Sequence, residues 1–331
     1  MSMKQDSTFS MAEARGRYFL AVALMLASSA LLLFFPPLFL AIAAMQGVIY
    51  RLSKPLVLAF VPAVASLVII SLYVGIIPAL ILTVVFFADG TIIRIAQKKY
   101  IGKNVTVAAM TAIFIVALCG AFLLILLELD KLSATGIREL FADMRTEIID
   151  TLRNQFEAMG AGASDGMDID ALMADFEVAL DQAVLVLPAF LTILFLLISC
   201  AITALYRIFC RLFQMKDGLP GRSFRLSVSM PFAVFYLFLT VLFFFANGES
   251  MLWISFLNLR LLLGFFIAIV GLNMLAASLV RFFPRISMRF LFTLLVVFVC
   301  FSTYAVLFFR IVAVVTAIRI TYLAFRRHPQ L

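Results

Sequence analysis

Few side chains in this sequence can do chemistry, and those that can are set in apolar surroundings. Asp89 in Ala88-Asp89-Gly90, Asn258, Arg260 and Asn273 all fall inside stretches otherwise built of Leu, Phe, Ile, Val and Ala. An ionisable group in such a stretch is costly and marks a functional or pairing position. Asp89 could take a cation or a proton. With Arg94 close in sequence and the basic pair Arg51 and Lys54 close by topology, it could equally close an ion pair at a helix end. Arg260 has a side chain long enough to snorkel to an interface, to reach the carboxylates outside, or to meet an anionic ligand. Asn258 and Asn273 read as hydrogen bonders between helices.

Catalytic constellations are missing. The sequence holds no His-Glu-x-x-His, no Gly-x-Ser-x-Gly and no Walker loop. Its single His is at position 328, and Cys119, Cys200, Cys210 and Cys300 sit in or beside apolar runs without a Cys-x-x-Cys pair. Buried thiols of this kind behave as small hydrophobes, and neither a zinc site nor a disulfide framework is expected. Asp165, Asp168 and Asp170 invite a calcium reading but lack the order and distal Glu of an EF-hand loop, so Asp168 is expected to cap a helix. No catalytic, cofactor-binding or metal-binding residue is assigned, and the chain is expected not to be an enzyme. The basic segments are short, which gives nucleic-acid binding no support.

The elements that carry these residues follow from composition. With 65% hydrophobic and 13% charged residues and a mean hydropathy of +1.15, the chain is far greasier than a soluble domain. Apolar runs long enough to cross a hydrocarbon layer recur along its length. The expected fold is therefore all-α, a polytopic transmembrane helical bundle of about 8–10 spans. The first run, Phe19 to Phe35, resembles a secretory signal with Ala27-Ser28-Ser29-Ala30 as a possible cleavage point, but apolar sequence continues beyond Ala30 and a retained signal-anchor is expected.

Lys and Arg orient the spans, because basic loops stay on the cytoplasmic side. Arg15 and Arg17, Arg51 and Lys54, Arg94 to Lys103, Arg207 to Arg225, Arg281 to Arg289 and Arg326-Arg327 alternate with the weakly charged turns Pro36-Pro37, Val74-Gly75 and Asn247-Gly248-Glu249. The N-terminus is then cytoplasmic and residues 128–182 are extracytoplasmic. The last apolar stretch, 290–325, spans roughly 54 Å as a helix, too long for one crossing. It reads either as two crossings or as one followed by an interfacial helix.

Between residues 127 and 183 the character changes. Glu128 to Asp181 holds 13 of the chain's 18 acidic residues against four basic ones, a net charge of −9 in a chain of +8. Ser133 could cap a helix whose apolar stripe is Ile137, Leu140, Phe141, Met144, Ile148, Leu152 and Phe156. Gly160 to Gly166 breaks it, and Ile169, Leu172, Met173, Phe176 and Leu180 mark a second stripe running straight into the next span. An acidic helical hairpin with facing apolar seams is expected, because anionic headgroups would repel so acidic a helix. Three regions result: N-terminal transmembrane helices in 1–127, the hairpin in 128–182, and C-terminal transmembrane helices with a basic cytoplasmic tail in 183–331.

Small residues recur at helix-packing spacing, in Ala23-x-x-x-Ala27 and in Gly264-x-x-x-Ala268 with Gly271. They suit close packing within the bundle or docking to another subunit. The order of parts resembles the YybS-like family of bacterial multipass membrane proteins. The likeness rests on the acidic insertion entering Leu187-Pro188-Ala189-Phe190, the basic Tyr206-Arg207 to Arg211, the span from Asn258 to Gly271-Leu272, and the Arg-rich tail after Tyr322-Leu323-Ala324-Phe325. It departs at Ser302-Thr303-Tyr304, where such families show Pro-Pro. That family is similar to the substrate-binding subunits of energy-coupling-factor vitamin transporters, in which an Ala-x-x-x-Ala pair on the first helix docks to the coupling subunit. The resemblance implies an inner-membrane, transport-related subunit that binds a small solute, has no energy source of its own, and uses Ala23 and Ala27 to meet a coupling subunit or ATPase module. The alternative is a structural or regulatory membrane protein that recruits a partner through its acidic hairpin.

Overall fold

The computed structural model describes residues 11–53, 57–131, 133–158, 169–215, 218–219, 228–245, 251–282, 287–300 and 305–327. Among these, regular structure is helical throughout: α1 Met11–Ala30, α2 Leu38–Leu52, α3 Val57–Val74, α4 Ile76–Lys98, α5 Lys103–Glu128, α6 Ala134–Ala158, α7 Ile169–Leu212, α8 Met230–Phe245, α9 Met251–Phe282, α10 Met288–Cys300 and α11 Ala305–Arg327. Six of them, α3, α4, α5, α7, α9 and α11, are long and apolar enough to cross a membrane, and α2 and α8 add shorter apolar helices. In hydrocarbon a backbone must satisfy its own hydrogen bonds, which is why the apolar runs take this form. The protein is a polytopic membrane protein built of helices.

The chain divides into two compact units. The first comprises residues 1–144 and 192–224, the second 145–191 and 225–331, so the division cuts through α6 and α7.

In the first unit α2 is central. It is 15 residues long, and Ile42 through Tyr50 are buried without interruption. A helix apolar on every side belongs in a protein core or in lipid, and here protein surrounds it: α1 and α4 pack along it while the Tyr206 ring of α7 lies against Gly47. Polar contacts tie the bundle together. The Ser29 and Ser66 hydroxyls join α1 to α3 at 2.9 Å, Thr111 donates to Ser199 between α5 and α7 at 3.2 Å, and Arg17 donates to the carbonyl of Phe213 at 2.8 Å. Gly75 makes the uncharged turn between α3 and α4 at φ 86°, a conformation open to glycine and strained for other residues.

In the second unit α9 packs against α8, α10 and α11. Ala233, Ile267, Ala268, Ala313 and Ala317 form the buried contact. The Gly264/Ala268/Gly271 spacing falls on this seam, with Gly264 beside the Tyr236 ring and Gly271 beside Val312 and Thr316. The long C-terminal apolar stretch is split into α10 and α11, and α10, with 13 residues, reaches roughly 20 Å.

Both helices of the acidic block form. The Ser133 hydroxyl accepts the amide of Gly136 at 2.9 Å and so caps α6. The second acidic helix and the span after it are one continuous helix, α7, of 44 residues and roughly 66 Å. Between α6 and α7 the second unit contains a charged bridge in which Arg145 meets Glu177 at 3.4 Å and Asp181 at 3.3 Å. The facing apolar seams are less complete than the stripes suggest: Ile149 and Met173 are buried, whereas Phe141, Met144 and Ile148 are exposed. The reason is rotational. Residues 148 and 149 both fit an i, i+4 rhythm from 144 or 145, and the Arg145 bridge turns the 145/149 edge of α6 inward.

Candidate intramembrane polar site

Asp89 lies on α4, one residue before Gly90, where the missing Cβ lets α2 come close. A Cβ at Gly90 would stand 3.0 Å from Gln46 Cγ and 3.0 Å from Tyr50 Cδ2. The Asp89 side chain is fully buried, and neither carboxylate oxygen meets a donor. The helix-end ion pair expected for it is not formed with any described residue. Arg94 is five positions away, about 140° around the helix, so it projects from another face. It lies instead over the Tyr50 ring, 5.7 Å from the centroid. Lys54 falls outside the described residues.

Gln46 is a buried polar residue that spacing in the sequence did not single out. It is buried on α2, donates Nε2 to the carbonyl of Ala59 at 2.9 Å, and keeps Oε1 buried without a donor. Its signal was available, since it is the sole amide in the run Leu38 to Tyr50. Further along the same helices Thr91 donates to the Tyr50 hydroxyl at 3.1 Å, and Gln97 donates to the Tyr206 hydroxyl. Lys103, at the start of α5, is buried with its ammonium unpartnered, a second charge that sequence spacing did not single out.

At the other end of α1 to α4 lies an apolar cavity of about 300 Å3, lined by Leu32, Phe39, Ile70, Tyr73 and Leu82 among others. That volume is at the lower end of small-molecule sites.

The remaining candidates fall elsewhere. In the second unit Asn258 accepts the amide of Ala189 at 2.9 Å and donates to the carbonyls of Leu185 at 2.8 Å and Ile254 at 2.9 Å, linking α9 to α7. Arg260 stands over the Phe243 ring at 4.9 Å, with Trp253 packed against that ring. This is a cation–π contact, the cation set on the electron-rich ring face. Among the described residues Asn273 makes no hydrogen bond to another helix: it is exposed on α9, while Leu272 and Ala276 beside it are buried. Ala23 and Ala27 are also exposed, because α1 turns Ala21, Met25 and Ser29 inward. Close packing of that pair within the first unit is thereby corrected.

Cys119, Cys200 and Cys210 form no disulfide among the described residues. Asp165 and Asp168 lie outside the described residues, as does the Asp170 side chain, and among the described residues no group of three or more His, Cys, Asp or Glu could hold a metal.

Comparison with curated proteins and with solved structures finds no match. A family model described as "Predicted membrane protein (DUF2232)" matches residues 19–315. Covering all of α2 to α10, most of α1 and about half of α11, that match makes the chain a member of the DUF2232 family of membrane proteins.

Proposed function

We propose that the protein is a transport-related subunit of the bacterial inner membrane that binds a small apolar solute between the helices of its first unit. It takes energy from a partner and has no reaction of its own. The half-open pocket lined by Leu32, Phe39, Ile70, Tyr73 and Leu82 carries this reading, since an apolar hollow of about 300 Å3 at the surface of a helical membrane unit suits a small hydrophobic ligand. The alternation of basic loops puts Pro36-Pro37 and Val74-Gly75, next to the cavity, on the outer side. The YybS-like resemblance, with its likeness to energy-coupling-factor substrate-binding subunits, supplies the partner. Ala23 and Ala27 are exposed one turn apart on α1, where a coupling subunit could approach the backbone.

Native mass spectrometry of the full chain in mild detergent tests the proposal. A bound small molecule, lost in Ile70→Trp, or a co-purifying ATPase module, lost in Ala23→Leu/Ala27→Leu, is expected. Repeated recovery of the chain alone and empty overturns it.

The second reading, recruitment of a partner by the acidic hairpin, is favoured by the exposed Phe141, Met144 and Ile148 on α6. Replacing 133–182 by a short linker then abolishes partner capture while membrane insertion survives. A reporter enzyme fused near position 162 checks the extracytoplasmic placement on which this reading rests.

A further inference from the structure

Five acidic residues lie outside the acidic block, and Asp89 is the one set within a long apolar helix. Its carboxylate is withdrawn from water with no donor on either oxygen. An ionised carboxylate in that position costs several kcal/mol, and such a group neutralises instead. The facing helix offers an acceptor. Gly90 brings α4 within 3.3 Å of the Gln46 carbonyl carbon, measured from the position a Cβ would take. The Gln46 amide is held in one orientation by its bond to Ala59, which leaves Oε1 as the free end. A neutral carboxyl has one O–H to donate, and Gln46 Oε1 lacks a donor.

The charged and titratable groups at this end of the surrounding helices include Tyr50 and Arg51 of α2, Arg94 and Lys98 of α4, Lys103 of α5, and Tyr206, Arg207, Cys210 and Arg211 of α7, while α3 brings no charged residue. None of them forms an ion pair or hydrogen bond with Asp89. A hard metal cation asks for about six oxygens. Here the unfilled oxygens are the two of Asp89 and one of Gln46.

We infer that Asp89 is an intramembrane proton-binding site, with Gln46 Oε1 as the acceptor of its acid proton. Loading forms the carboxyl O–H bond and turns a hydronium ion into water; unloading returns the proton to water and leaves the carboxylate. The first exposed charged residue after Asp89 on α4 is Lys98, nine residues on and roughly 14 Å along the axis.

The test is labelling of the full chain in proteoliposomes with a lipophilic carbodiimide, which attacks protonated carboxyls, read by mass mapping of the peptide that contains α4. Asp89 is expected to be labelled, with labelling falling about tenfold for each pH unit once the group ionises and unchanged by sodium. Asp89→Asn removes the adduct, and Gln46→Leu lowers labelling at a given pH. An unlabelled Asp89, or labelling that ignores pH, overturns the proton site. Protection by sodium overturns it in favour of a metal cation, and an unchanged yield in Gln46→Leu removes Gln46 from the site.

Discussion

Asn258 accepts the backbone amide of Ala189 at 2.9 Å, and its own amide reaches the carbonyl of Leu185 at 2.8 Å. These are the donor and acceptor that an α-helix pairs with each other, i to i−4. They flank Pro188, which supplies no N–H and pushes against the preceding turn. The side chain of α9 thus works as an external peptide group at the weakest point of the 44-residue helix. Asn258→Ala is expected to destabilise the protein by about 1 kcal/mol, the scale of hydrogen bonds between helices in membranes. In Pro188→Ala, where the ladder can close by itself, the loss should be smaller. A double-mutant cycle measured by unfolding in bicelles checks this, and additive losses would refute the link between Asn258 and the proline.

Arg145 joins the two acidic helices through Glu177 and Asp181. All three side chains are roughly half exposed, which limits each contact to about 0.2–1 kcal/mol and makes it sensitive to salt. Arg145→Ala should raise amide hydrogen exchange along 145–158 at low ionic strength, and the difference from wild type should shrink in high salt. A difference that salt does not change would point to lost packing in place of lost charge.

Lys131, on the connection between α5 and α6, donates to Asp143 at 2.8 Å. This hydrogen bond raises the lysine above its ordinary range against an opposing effect of burial, and the charges of Asp143 and Glu139 add to the rise. A lysine raised in the folded state contributes stability below its unfolded pKa and loses it as pH climbs through the folded one. The contribution should therefore be present at neutral pH and fade in alkaline buffer. Asp143→Asn lowers the lysine back toward its usual range, leaving more free amine, so Lys131 should be acylated faster at a fixed alkaline pH. Equal rates in the two proteins would show that the pair does not persist in solution.

Much of this architecture is written in local pattern. The stripe Leu172 to Leu180 continues in phase into the apolar run after 183, which is why α7 is continuous, and Ser133 caps α6 where its hydroxyl and the following residues allow. What spacing cannot supply is rotation. Ala23 and Ala27 share a face in any helix, yet whether that face turns inward depends on Met25 and Ser29 finding partners on other helices. Asn258 and Asn273 look alike in sequence, but one meets the α7 turn that holds Pro188 and the other is exposed. Asp89 reads as half of an ion pair until Arg94 is placed over Tyr50. Gln46 gains its meaning from Gly90 on a different helix.

The small residues of α9 allow a graded test of packing. A Cβ at Gly264 would meet Tyr236 Cε2 at 3.1 Å, a contact that a modest ring shift relieves. At Gly271 it would meet Val312 Cγ1 at 2.7 Å and would overlap the Thr316 hydroxyl outright. Overpacking of this kind costs about 1–3 kcal/mol, and α11 can relieve it only by moving away from α9. Gly271→Ala should therefore lower thermal stability in detergent clearly more than Gly264→Ala. Thr316→Ala in the same chain should recover part of the loss, since it removes the hydroxyl overlap and leaves the Val312 contact. If the two glycine variants behave alike, or Thr316→Ala gives no recovery, α9 and α11 do not pack at Gly271 as described.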